Sequence, residues 1–148
     1  MRILAIDPST KIGFAFFDGE KYKYETWNLG AKNSWGQRLS IFYYLLVAKI
    51  EWGEPELIAV ESLPFSAHPR DTLAQRYIGI VLLLAYQYKI EVVEVNPSSW
   101  KAAVGGGRMK PAQYQKAVRV VMGVDPQTPD EAAALGMINW AKTRKGGG

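Results

Sequence analysis

The spacing of apolar positions along this chain changes several times, and the changes mark out its elements. Residues 2–7 are almost continuously apolar, as a strand buried on both faces would be, and Pro8-Ser9-Thr10-Lys11 breaks the run. Residues 12–17 and 22–28 predict two further strands joined at Asp18-Gly19, a strong hairpin signal. Three early antiparallel strands follow from that. Over residues 35–51 the apolar positions Leu39, Phe42, Tyr43, Leu46, Val47 and Ile50 have helical spacing, and Gly53 and Pro55 stop the helix.

Leu57-Ile58-Ala59-Val60 is a second buried strand, ending in Glu61, and residues 62–70, with Pro64 and Pro69, form a loop. Residues 71–88 predict a long apolar helix capped by Asp71 or Thr72, and residues 90–95 a strand stopped by Asn96-Pro97. Ser98 or Ser99 is expected to cap a short helix through Trp100-Lys101. Gly105-Gly106-Gly107 is a loop, Pro111 starts a helix through Met122, and a last helix runs from Asp130 to about Thr143. Three strands come first, then strands alternate with helices. This order predicts an α/β domain, a mixed sheet of three antiparallel and then parallel strands flanked by helices. Nothing repeats, so residues 1–145 are read as one domain and 146–148 as a flexible tail.

Length and composition fit that picture. The chain has 148 residues, the size of one ordinary domain, and is 48% hydrophobic and 22% charged, which is globular composition. It has no cysteine, which excludes disulfides and thiol chemistry, and 1 histidine, which argues against zinc sites and histidine triads. No apolar run is long enough to span a bilayer, and the N-terminus enters a strand directly, so a cytoplasmic protein is expected. Charge is uneven. Residues 1–97 hold 10 Lys/Arg against 11 Asp/Glu, whereas residues 98–148 hold 8 against 3. A basic half on a small domain suggests a polyanionic partner, the alternative being a solvated surface with a basic tail.

The acids carry the candidate chemistry. Asp7 and Glu61 each close a buried strand, and ligand sites in α/β sheets form outside the carboxyl ends of strands. Either alone could be a solvated strand end, but two in one small sheet point to a joint site. Asp130 opens the last helix, where it could cap the helix or point at the strand ends; Glu131, roughly 100° further round, need not share its target. Hard oxygen ligands without Cys or useful His favour Mg²⁺ or Mn²⁺, ions that support displacement at phosphorus. Together with the basic half, this points to a metal-dependent nuclease.

Several motifs then resemble one family. Ile3-Leu4-Ala5-Ile6-Asp7-Pro8-Ser9 with Gly13 resembles the first motif of RuvC-type Holliday-junction resolvases of the ribonuclease-H-like superfamily. Ile58-Ala59-Val60-Glu61 resembles their second acidic motif, and Asn96-Pro97-Ser98-Ser99-Trp100-Lys101 with Gly105 and Lys110 the basic segment that follows. Pro129-Asp130-Glu131-Ala132-Ala133-Ala134-Leu135 resembles their final acidic helix. The match spans nearly the whole chain in order, at a size that suits a phage or bacterial resolvase. It implies a ribonuclease-H-like sheet and a homodimer that cuts four-way DNA with two Mg²⁺ ions, Mn²⁺ substituting. Asp7, Glu61 and Asp130 would be the catalytic metal ligands.

The chain departs from the family at one position. A second acid is expected three residues after the first on the last helix, and Ala133 stands there. Positions i and i+3 share a helix face, so the missing acid would have faced the metals with Asp130. Ala133 therefore predicts impaired cleavage, and a non-catalytic branched-DNA-binding protein on the same fold is the alternative.

Lys101, Arg108 and Lys110 flank the glycine loop as expected DNA-backbone contacts, with a basic surface loop as the plain alternative. Phe65 could stack on an unpaired base or belong to the core. His68 is read as a surface loop residue, and Trp100 as the tryptophan to check for DNA contact. The helix at 71–88 is apolar on more than one face, as a dimer interface would require. An actin-like or sugar-kinase fragment would need a second phosphate-binding glycine loop, which the chain lacks. An RNA-processing relative would differ in substrate alone.

Overall fold

A computed structural model describes residues 1–62 and 69–146. Five strands form one sheet in the order β3-β2-β1-β4-β5. The first three are β1 (Ile3–Pro8), β2 (Ile12–Phe17) and β3 (Tyr22–Trp27), and they pair antiparallel. β4 (Leu57–Glu61) and β5 (Glu91–Val95) add in parallel, β4 against β1 and β5 against β4. The helices are α1 (Trp35–Gly53), α2 (Pro69–Gln87), α3 (Pro97–Val104), α4 (Pro111–Met122) and α5 (Pro129–Gly146). This is the mixed α/β sheet that the periodicity predicts.

The helices form two layers. α1 and α2 cover the face that carries Leu4, Ile6, Phe14, Phe16, Ile58 and Val60. α3, α4 and α5 cover the face that carries Ile3, Ala5, Ala15, Leu57 and Ala59. Alanines meet in register across that second face, Ala5 opposite both Ala15 and Ala59. The shallow stripe they leave receives α5, which presents Ala132, Ala133, Ala134 and Ala141, all buried. Gly136 completes the fit, because a Cβ there would run into the ring of Trp100.

Several local expectations are corrected. Asn96 caps α3, its side chain accepting from Ser98 N–H at 2.9 Å with Pro97 in the first turn, so neither serine is the cap. α1 does end at Gly53, as expected; the left-handed residue that follows is Glu54 (φ 46°), and Gly53 is packed against the Phe16 ring. The Thr128 hydroxyl accepts from Glu131 N–H at 3.1 Å, which makes Thr128 the cap of α5 and frees the Asp130 carboxylate. α2 begins at Pro69, earlier than Asp71 or Thr72, and α5 runs through Gly146, so that residue is helical and not tail.

Candidate active site

Alternation along the strands places the acids. Side chains at i and i+2 share a face, so Asp7 follows Ile3 and Ala5 onto the α5 side, and Glu61 follows Leu57 and Ala59 onto the same side. β1 and β4 are parallel neighbours whose register runs to Ile6 opposite Val60, so both acids leave the sheet together at its carboxyl end. Asp130, in the first turn of α5, is brought over that edge through Gly13, which pairs with Asp7. The Asp130 carbonyl fills the space where a Gly13 Cβ would stand.

Asp7, Glu61, Asp130, Ala133 and Lys101 all line one cleft of about 540 Å³. Asp7 is 7% exposed. Burial first, then a hydrogen bond with Glu61 and the charges of Glu61 and Asp130, push its carboxyl well above the usual range, while Lys101 acts in the opposite direction. Asp7 thus stands beside two further acids whose charges oppose its ionisation, an arrangement that a cation would relieve. Asp130 Oδ1 accepts from Ser9 Oγ at 2.8 Å.

The donor set is all oxygen and suits a hard divalent cation, with Asp7, Glu61 and Asp130 lining one cleft. Among the described residues no three of His, Cys, Asp and Glu are gathered into a ready-made cage; Asp130, held by Ser9 through Oδ1 alone, stands on the same cleft as the third acid.

Glu131 does not join the cluster. It is buried, accepting from Thr26 Oγ1 at 2.8 Å and Gln127 N–H at 3.0 Å, and it ties α5 to β3. Ala133 is 3% exposed, one turn on from Asp130 along the cleft wall. Of the predicted DNA contacts, Lys101 lines the cleft together with the acids, whereas Arg108 and Lys110 are exposed and lie outside the cleft lining. Phe65 and His68 lie outside the described residues. Trp100 is not a surface contact: it is 1% exposed, packed against Gly136 and edge-on to Tyr114 at 5.2 Å between ring centroids.

Sequence reasoning missed Tyr114. It lines the cleft from α4, under Lys101 Nζ at 5.2 Å from its ring centroid. Burial, and then the charges of Asp7, Asp130 and Glu61, push its phenol up, so the hydroxyl stays protonated and can donate. Its place in a basic amphipathic helix gave no signal that it would face the acids.

Two bacterial proteins, both named crossover junction endodeoxyribonuclease RuvC, align along most of this chain. The protein of Desulfitobacterium hafniense is 33% identical over 145 residues, covering 91% of this chain and 88% of its own length. That of Thermomicrobium roseum is 32% identical over 146 residues, covering 93% and 90%. This chain belongs to the RuvC family. No protein-family model matches it.

The fold of RuvC is also shared. Thermus thermophilus RuvC superposes with a TM-score of 0.79 at 22% identity, covering 99% of this chain and 97% of that one. The same protein in complex with Holliday junction substrate gives 0.83 at 20% identity, covering 99% and 96%. These likenesses show that the mixed five-stranded sheet with its flanking helices is the fold of RuvC. Among the described residues no helix is long and apolar enough to cross a membrane.

Proposed function

We propose that this RuvC-family chain is a divalent-metal-dependent, structure-specific endonuclease that resolves four-way DNA junctions. The observation that carries the reading is the convergence of Asp7, Glu61 and Asp130 on one cleft beside Lys101. Asp7, Glu61 and Asp130 would hold Mg²⁺, or Mn²⁺ in its place. When bound, the metal supplies Lewis acidity for activating water and stabilising the leaving oxygen.

The chain's own residues do the rest. Lys101 counters the acids and contacts the incoming phosphate, and Tyr114 donates from the α4 wall. Arg108 and Lys110, exposed beside the glycine loop, hold the DNA backbone further out, and Phe65 stacks on an unpaired base near the junction centre. Residues 1–145 act as one nuclease domain, in the cytoplasm of a bacterial or phage-infected cell.

The working unit is a homodimer. α2 buries Tyr77, Val81 and Leu84 inward but leaves Leu82, Leu83 and Tyr86 exposed, Tyr86 at 84%. Two copies meeting there would give two cutting sites related by a twofold axis, matching a near-twofold four-way junction. Sedimentation at micromolar concentration is expected to show a dimer, and a monomer would remove this part of the reading.

Ala133 favours a second reading, a protein that binds branched DNA without cutting it. Single-turnover cleavage of a labelled four-way junction with Mn²⁺ separates the two. Metal-dependent cuts support the endonuclease, and tight, junction-specific binding with no cuts at all supports the binder.

A further inference from the structure

The half of the chain with the acidic balance supplies cations to the second wall of the cleft. Lys11, on the turn after β1, and Arg38, in the first turns of α1, line it together with Trp35. The guanidinium of Arg38 lies 4.7 Å from the Trp35 ring centroid, and that of Arg76, from α2, lies 4.5 Å from the same ring. Trp35 is itself anchored: it packs against Tyr77 at 5.7 Å between centroids, and Tyr77 against Phe42 at 5.0 Å. The platform is therefore fixed to the α1–α2 core.

The two arginines are used differently. Arg38 Nε donates to the Asn33 carbonyl at 2.9 Å and Arg38 Nη2 to the Ala31 carbonyl, so this side chain holds the loop before α1. Arg76 is exposed, and neither it nor Lys11 makes an ion pair among the described residues. An indole face offsets part of the cost of gathering cations but neutralises none of their charge. Two guanidiniums on one ring, with Lys11 lining the same cleft as Trp35 and Arg38 and no ion pair to any of the three cations among the described residues, are a site for an external anion. The planar fork of arginine suits a phosphodiester.

The wall's position in the fold says which phosphate. Lys101 lines the cleft from the layer of α3, α4 and α5, whereas Trp35, Arg38 and Arg76 belong to the α1–α2 layer on the other face of the sheet. We infer that Arg76 and Arg38, stacked on Trp35, form with Lys11 a second phosphate-binding wall that grips the cut strand on the side of the acids away from Lys101. A strand crossing the carboxyl ends of β1 and β4 is then held from both faces of the sheet. This inference rests on the reading of four-way DNA as the substrate.

The test is binding of a fluorescent four-way junction in EDTA across a salt series, with the full chain and its Arg76→Gln, Lys11→Gln and doubly substituted variants. Each single change should weaken binding about three- to tenfold near 0.1 M salt. Each should also reduce the slope of log affinity against log salt by about 0.9, the signature of one lost phosphate contact. Melting temperatures should stay near that of the parent, since both side chains are exposed. Trp35→Ala should weaken binding and Trp35→Phe should restore most of it. Unchanged affinity and salt slope in the double variant, with the parent still binding junctions, would overturn the second wall and leave the resolvase reading standing. A parent that prefers no four-way DNA over duplex would overturn both.

Discussion

The carbonyl of Asp130 occupies the space that a side chain at position 13 would need, and Gly13 is the register partner of Asp7. One missing Cβ thus brings the first turn of α5 against the strand that carries the first acid. Spatial closeness between residues far apart in sequence here depends on the absence of a side chain.

Gly13→Ala should therefore act on both stability and the site. The new methyl meets backbone, which cannot swing aside, so α5 must lift. The cost expected for such overpacking is about 1–3 kcal/mol. Thermal melting should show that loss, and metal-dependent cleavage should fall further than stability alone explains. An unchanged melting temperature would contradict the contact.

Asp7 gives a pH dependence whose sign is fixed. Burial and the neighbouring acids raise its carboxyl in the folded state, so the fold holds a proton that the unfolded chain releases. Without metal, its contribution is intact below the ordinary aspartate range and is lost as pH rises through the raised value. In EDTA, Asp7→Asn should gain stability over the parent as pH increases toward neutral, and the difference should close at acid pH. Adding Mn²⁺ should raise the melting temperature of the parent and not of the variant. The opposite pH trend would mean that Asp7 is ionised and paired in the fold.

Much of this arrangement is legible in the residues. Asp7 and Glu61 end apolar runs, and period two then fixes which face they share. The role of Gly13 is not legible, because it depends on how closely α5 descends on the alanine stripe. The place of Trp100 is hidden for the same reason: next to Lys101 it is the tryptophan to check for DNA contact, yet Gly136 leaves it a buried seat. Glu131 and Asp130 are adjacent acids with separate fates, settled by Thr26 and Ser9, residues more than one hundred positions away in sequence. The cations of the α1–α2 wall are hidden by the net acidic balance of their own half.

Ala133 should limit metal binding. Metal affinity follows ligand number and charge. Ala133→Asp should lower the melting temperature in EDTA, because a fourth acid joins the three already present, and Mn²⁺ should more than restore it. Calorimetric titration should show tighter or additional Mn²⁺ uptake in the variant. Equal uptake by the two proteins, or a variant that metal does not rescue, would place position 133 in the helix packing alone.

Tyr114→Phe isolates one hydroxyl. The ring keeps its contact with Trp100, and only the hydroxyl of a cleft-lining residue is removed. A hydrogen bond to a charged group is worth about 1.5–3 kcal/mol, so single-turnover cleavage should fall roughly tenfold or more while junction affinity changes little. Loss of affinity with an unchanged cleavage rate would make Tyr114 a binding residue only.

The most direct test of the metal-dependent resolvase reading is single-turnover cleavage of a four-way junction and of duplex of the same sequence, with Mg²⁺ and with Mn²⁺. The proteins to compare are the parent, Ala133→Asp, and Ala133→Asp combined with Asp7→Asn. Slow junction cutting by the parent is predicted, with a rate orders of magnitude higher for Ala133→Asp and none when Asp7→Asn is added. A folded, junction-binding Ala133→Asp protein that cuts nothing with either metal, or cutting that survives Asp7→Asn, would contradict it.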